Sequence, residues 1–238
     1  MLKLIRADLY RSFHRFYLYL LAAGLAGICL LLTFQARGHA TAADLWRMAQ
    51  AQLFGFPLMV IPMLPDIVFT EENREHTLKN TVAFGVNRAE LYGSKTVTSI
   101  LLGLLLAAAV LGVFCGSSLL LLPRGPEFTG ELVRQFFVRF AALCSVYVGA
   151  VAVAAVFTIF LHRGALAVFA YYAAIYLSRY LFLLLHIPKA NDYLLYSQVH
   201  PIVSGAPDAV RQAVLISFVT FAVFLALGAA LFRRSDVA

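Results

Sequence analysis

The sequence predicts an all-α membrane protein of six transmembrane helices, with an interfacial helix before the first span and a cytoplasmic helix between the second and third. Three observations predict it. Of 238 residues, 62% are hydrophobic and 13% charged, whereas soluble domains sit near half apolar and about a quarter charged. Six apolar runs, 16–34, 53–70, 97–122, 136–161, 165–185 and 213–232, are long enough to be read as crossings of a bilayer core, which takes about 20 helical residues. Lys and Arg favour alternate connections. Little chain is left over, so one transmembrane domain covers 1–238 and no soluble catalytic domain fits beside it.

The N-terminal stretch "MLKLIRADLYRSFHRFYLYL" places Leu2, Ile5, Leu9, Phe13 and Phe16 at three- and four-residue steps, with Lys3, Arg6, Arg11 and His14 largely elsewhere. That pattern describes an amphipathic helix lying in the inner interface. The first apolar run exceeds the roughly 7–15 residues of a signal-peptide core, so it reads as an uncleaved anchor.

The second run carries Pro57, Pro62 and Pro65. Proline removes a backbone donor and kinks helices, so this span is bent or broken. It either lines a pathway or holds a kink set by packing.

Next comes the polar stretch "TEENREHTLKNTVAFGVNRAELYGSK", residues 70–95. Glu71, Glu72 and Glu75 are expected in the first turns of a new helix, where acidic groups meet the positive end of its dipole. Glu75 and Lys79 stand four apart in the favourable order. Gly85 supplies the left-handed residue that ends a helix. Asn87 then caps a second helix, Glu90 follows as in a capping box, and Val86 with Leu91 occupy the staple positions. This helix should run through Lys95 into the third span. The stop and restart signals favour a fixed short helix and elbow over a solvated loop. Such an elbow suits docking into a groove on a soluble partner, with Ala83, Phe84 and Val86 as contacts.

In the third span Gly112 and Gly116 form a small-xxx-small pair, read as packing within the subunit. Cys29, Cys115 and Cys144 fall in apolar runs without disulfide or metal spacing. In segment 186–212, His186, Asp192 and His200 match no metal spacing. A short outer helix is expected between Pro188 and Pro201, with Tyr193 and Tyr196 at the interface.

With the N-terminus cytoplasmic and six alternating spans, the inner segments 1–15, 71–95, 162–164 and 233–238 hold eleven of the nineteen Lys and Arg, and the outer segments hold six. The bias puts both termini inside. It also accounts for the net charge of +7 without nucleic-acid binding, which needs a basic folded surface. Asp66 and Arg179 are the ionisable residues inside spans that most need explaining. Depth argues against pairing them; both are pathway candidates with the three prolines, and for Arg179 snorkelling is the first account and a lining role the second.

These residues resemble the membrane subunits of ABC-2 type exporters. The likeness rests on the amphipathic "LIRADLYRSF" before the first span, a Glu after the second followed by "HTLKNTVAFGVNRAELYGSK", and six spans in all. It covers the chain in topology and about 40 residues in motif. The resemblance implies a permease without ATPase activity, which pairs with a second permease, identical or not, in the lipid of a bacterial cytoplasmic membrane. ATP and Mg would sit in a separate ATP-binding cassette subunit that contacts the helix between spans two and three. By position, Glu71 or Glu72, Thr77, Gly85, Arg88 and Lys95 would belong to that coupling element. His76 stands where a Gly is often found and Asn87 where Ser is common, a change that preserves the cap.

Gly93-Ser94-Lys95-Thr96 ends like a phosphate loop, but Ser94 and Ala89 stand where glycines are needed, so this chain does not bind ATP in that way. The expected cargo is an amphipathic peptide antibiotic, drug or lipid, as in antimicrobial peptide resistance. Two other functions compete. A stand-alone accessory or immunity protein would have no ATPase partner. An intramembrane protease would use "EENRE", but His76 occupies the Arg position of that motif.

Overall fold

The computed structural model describes residues 1–55, 57–74, 86–161 and 164–234. It is all-helical, with 87% helix and no strand among the described residues. In chain order the helices are α1 (Leu2–Phe13), α2 (Phe16–Ala36), α3 (Ala42–Met48), α4 (Pro57–Val60), α5 (Met63–Arg74), α6 (Arg88–Leu121), α7 (Gly130–Leu161), α8 (Gly164–Leu184), α9 (Val199–Ser204) and α10 (Pro207–Arg234). A π-helical turn at Ala49–Leu53 follows α3, and two 3-10 turns, Pro188–Tyr193 and Leu195–Gln198, precede α9.

Among the described residues, five helices (α2, α6, α7, α8 and α10) are long and apolar enough to cross a membrane. The second of the six expected transmembrane helices is not continuous. Its three prolines split it into the π-helical turn, α4 and the start of α5. In four of the five long helices less than a third of the apolar stretch is buried, while 67% of that stretch in α7 is buried. α7 is therefore the core. Leu143, Val146, Ala150 and Ala154 recur along it at three- and four-residue steps and are almost completely inaccessible. α10 packs most extensively against it, and Gly149 is a point of close approach between the two. A Cβ there would lie 3.1 Å from the Ser217 carbonyl, tighter than ordinary packing allows.

Contacts sort the chain into two ends. At one, Met1 meets Glu90, Asp8 meets Lys95, Asp66 meets Gly164 and Tyr92 meets Phe232. At the other, Ala42 donates to the Pro123 carbonyl, Arg47 meets Glu127, and Arg139 reaches both Gln50 and Gly205. The broken second run passes from the Gln50 end to the Asp66 end.

Several local expectations shift. α1 turns Asp8 and Ser12 into the bundle, leaving Leu2 and Phe13 of the expected apolar face exposed. An interfacial helix that also touches protein has three surroundings to satisfy, and here the polar pair faces protein. Glu71 and Glu72 continue the helix begun at Met63 and so do not start a new one. Gly112 and Gly116 approach no neighbour: a Cβ on either would meet nothing within 4 Å. The short outer helix is present only in pieces, two 3-10 turns followed by α9, which takes Pro201 into its first turn. The third span extends back to Arg88, as the Asn87 cap implies: the Asn87 Oδ1 accepts from the Ala89 N–H at 3.0 Å.

Candidate functional site

The first focus is the base of α6. Lys95 is fully buried, and its Nζ lies 3.6 Å from the Asp8 Oδ1 of α1. The same ammonium donates to the Val68 carbonyl of α5 at 3.4 Å and sits 5.8 Å from the Phe69 ring centroid. One cation thus joins three elements. An ammonium taken out of water needs both a counter-charge and hydrogen-bond acceptors, and Asp8 and Val68 supply them. Around this clamp the Glu90 carboxylate takes the N-terminal ammonium of Met1 at 2.5 Å instead of turning back to close a capping box. Arg88 donates to the Arg233 carbonyl at 3.4 Å, and Val86 packs on the core.

Of the expected coupling element, Arg88 and Lys95 lie on α6 and Val86 just before it, and Lys95 takes Asp8 of α1 as its partner. Glu71 and Glu72 lie on α5, the helix that approaches this clamp. Thr77, Ala83, Phe84 and Gly85 lie outside the described residues, as does the elbow itself.

The second focus is the broken run. In a regular helix the residue 62 N–H would bond the Leu58 carbonyl, and proline has no N–H to give. The Tyr171 hydroxyl of α8 donates to that carbonyl at 3.4 Å, and the adjacent Tyr172 donates to Met59. Before Pro57, the Tyr147 hydroxyl of α7 donates to the Phe54 carbonyl at 2.7 Å. With Lys95 on Val68, four side chains from α6, α7 and α8 satisfy carbonyls along the run. Irregular backbone survives at membrane depth only where neighbouring groups satisfy it in this way. Pro65 falls in the first turn of α5, where a missing N–H leaves no bond unmade.

Sequence reasoning missed the tyrosines and Asp8. A signal was present: Tyr147 and the pair Tyr171-Tyr172 fall within apolar runs, where a hydroxyl needs a partner. The proline-broken run is the nearest source of spare carbonyls.

Asp66 lies against the first residue of α8, since a Cβ on Gly164 would collide with its carboxylate. That places a negative charge at the positive end of the α8 dipole. Arg179 lies about four turns further along α8, roughly 22 Å at 1.5 Å per residue, and is exposed. The two do not pair.

The opposite end buries aromatic and neutral polar contacts and carries its Arg47–Glu127 ion pair on the exposed surface. Trp46 is buried, donates from Nε1 to the Ser118 Oγ at 2.8 Å, and packs against Phe136 and Phe128 with centroids 4.6 and 5.3 Å apart. Thr41 and Asp44 form a capping box at the start of α3. Hydrogen bonds from the Thr41 hydroxyl and backbone N–H hold the Asp44 carboxyl below its ordinary value. Gly205, in the left-handed region at φ 76°, ends α9 beneath the Arg139 guanidinium.

Residues 11–183 match the family model described as ABC-2 family transporter protein. No curated protein matches the chain significantly.

Proposed function

The chain belongs to the ABC-2 family of transporter proteins, and on that premise we propose that it is the membrane permease subunit of an exporter in a bacterial cytoplasmic membrane. Six crossings, five long helices and the broken second run, leave both termini cytoplasmic. Family members are transport components and not themselves catalysts. A separate ATP-binding cassette subunit, carrying ATP and Mg, docks on the connection at residues 75–85, and a second permease completes the transporter. The cargo is amphipathic, such as a peptide antibiotic, a drug or a lipid.

One observation carries this reading. The helices bracketing residues 75–85, α5 and α6, are tied to each other and to α1 through Lys95. A partner moving that connection would pull directly on the proline-broken run. Val86 packs on the core, so a charge placed there perturbs the bundle as well as any docking.

The direct test is affinity purification of the tagged chain in mild detergent. A stoichiometric co-eluting protein with a phosphate-binding loop is expected. A clean single component, repeated in nanodiscs and after crosslinking, would overturn the permease reading in favour of a stand-alone accessory protein.

A further inference from the structure

Between α2, the broken run, α6 and α7 lies a cavity of about 310 Å³. Ile28 of α2, Pro57 and Leu64 of the broken run, Val110 of α6, and Phe136 and Tyr147 of α7 represent its walls. The prolines explain why it exists: a run broken into short helical pieces does not fill the space that a straight helix would. On one side α5 and α6 touch, because a Cβ on Gly103 would come within 2.8 Å of the Leu64 Cδ1. On the other side Ile28 is 41% exposed and Leu31, one turn on, 66%. The cavity therefore reaches the apolar, lipid-facing surface of α2.

The chemistry of the walls selects the occupant. Among the described residues, the polar side-chain groups lining the cavity are the Tyr147 hydroxyl and the Cys29 thiol. The hydroxyl is already committed to the Phe54 carbonyl. A buried water needs two to four polar partners, and an apolar cavity of about 150 Å³ stays dry and takes up benzene. This one has about twice that volume and, among the described residues, no charged residue in its lining and no further side-chain donor.

We propose that the cavity is a binding site for one hydrocarbon chain, entering sideways from the bilayer past Ile28. The site deepens the permease reading, on which its purpose rests: it would hold the apolar part of an amphipathic cargo. Occupancy itself stands independently of any partner.

The chain's one tryptophan provides the readout, because Trp46 packs on Phe136 in the cavity wall. The full chain is placed in nanodiscs of dibromostearoyl phosphatidylcholine, or in dioleoyl nanodiscs to which free dibromostearic acid is added. Bromines in the cavity quench Trp46. Quenching in the first arm identifies a phospholipid chain, and quenching in the second a free acid.

Ala107→Phe and Val110→Phe fill the cavity and should each remove at least about half of that quenching. Equal quenching in the wild type and in a folded variant would mean that surrounding lipid is the quencher, and would overturn the proposal. So would no quenching in either arm. A second measurement uses no filling substitution. In a chain with Cys115→Ser and Cys144→Ser, stearic acid should slow alkylation of Cys29 by N-ethylmaleimide several-fold, and an unchanged rate would equally overturn the site. Loss of the co-eluting ATP-binding partner would sink the permease reading while leaving quenching intact, so the two failures are distinguishable.

Discussion

Both ends of the bundle carry an exposed ion pair, Met1 with Glu90 at one and Arg47 with Glu127 at the other, but they bury different joints. Where the termini meet, the buried joint is ionic: Lys95 shared by Asp8 and Val68. At the other end a buried tryptophan, three phenylalanines and a hydroxyl seal α3 against α6 and α7. Aromatic burial is non-directional and tolerates small sliding, whereas a buried ion pair works in one geometry and costs several kcal/mol per ion when it is broken. An element that must report a push from outside is better built the second way. The ionic end is the one facing residues 75–85, and the aromatic end is the fixed point against which they would move.

That contrast can be broken most severely at Lys95. Replacing it with Ala leaves Asp8 buried without this cation, a change that costs about 3–5 kcal/mol in comparable sites. The apparent melting midpoint in detergent should fall steeply, and a Lys95→Met/Asp8→Leu double variant should recover most of the loss. A single variant as stable as the wild type would show that the clamp holds nothing.

The next effect is at the broken run. Tyr147→Phe deprives the Phe54 carbonyl of its donor and should cost about 1–3 kcal/mol. Tyr171→Phe should cost less, because its bond to Leu58 is long at 3.4 Å. If the order of the two midpoints is reversed, the carbonyls are not satisfied as the geometry indicates. At the aromatic end, Ser118→Ala orphans the Trp46 N–H and should cost about 1 kcal/mol, without the collapse expected at Lys95.

How much of this was legible depends on the range of each signal. Apolar length and proline are local, so the long helices and the break in the second run could be read directly. The Asn87 cap gave the start of α6 to the residue. Asp8 was different. On a helical wheel it is one more polar residue of an amphipathic segment, and its burial depends on Lys95, 87 positions away. The continuation of α5 through Glu71 and Glu72 was hidden for a related reason. Three acidic residues look like a helix start, but the helix already running from Met63 takes Glu71 and Glu72 into its last turn. Gly112 and Gly116 show the converse: a local packing motif that none of the described elements uses.

The smallest effect sharpens the contrast from the aromatic end, at Asp44. Thr41 donates to its carboxylate from both hydroxyl and backbone N–H, which lowers the folded-state pKa. A lowered carboxyl contributes stability that is complete above its ordinary value near 4 and is lost as pH falls through the folded value. The wild type should therefore lose slightly more of its melting midpoint between pH 7 and pH 3 than Asp44→Asn does, since the amide carries no charge to titrate. Asp44 is solvent-exposed, so water screens its interactions and the difference should be the smallest of the set. Comparing the two pH profiles cancels the other carboxylates, which titrate alike in both proteins. If the profiles superimpose, the cap is held by the Thr41 hydroxyl on the Asp44 N–H at 3.3 Å alone, and the Asp44 charge contributes nothing to it.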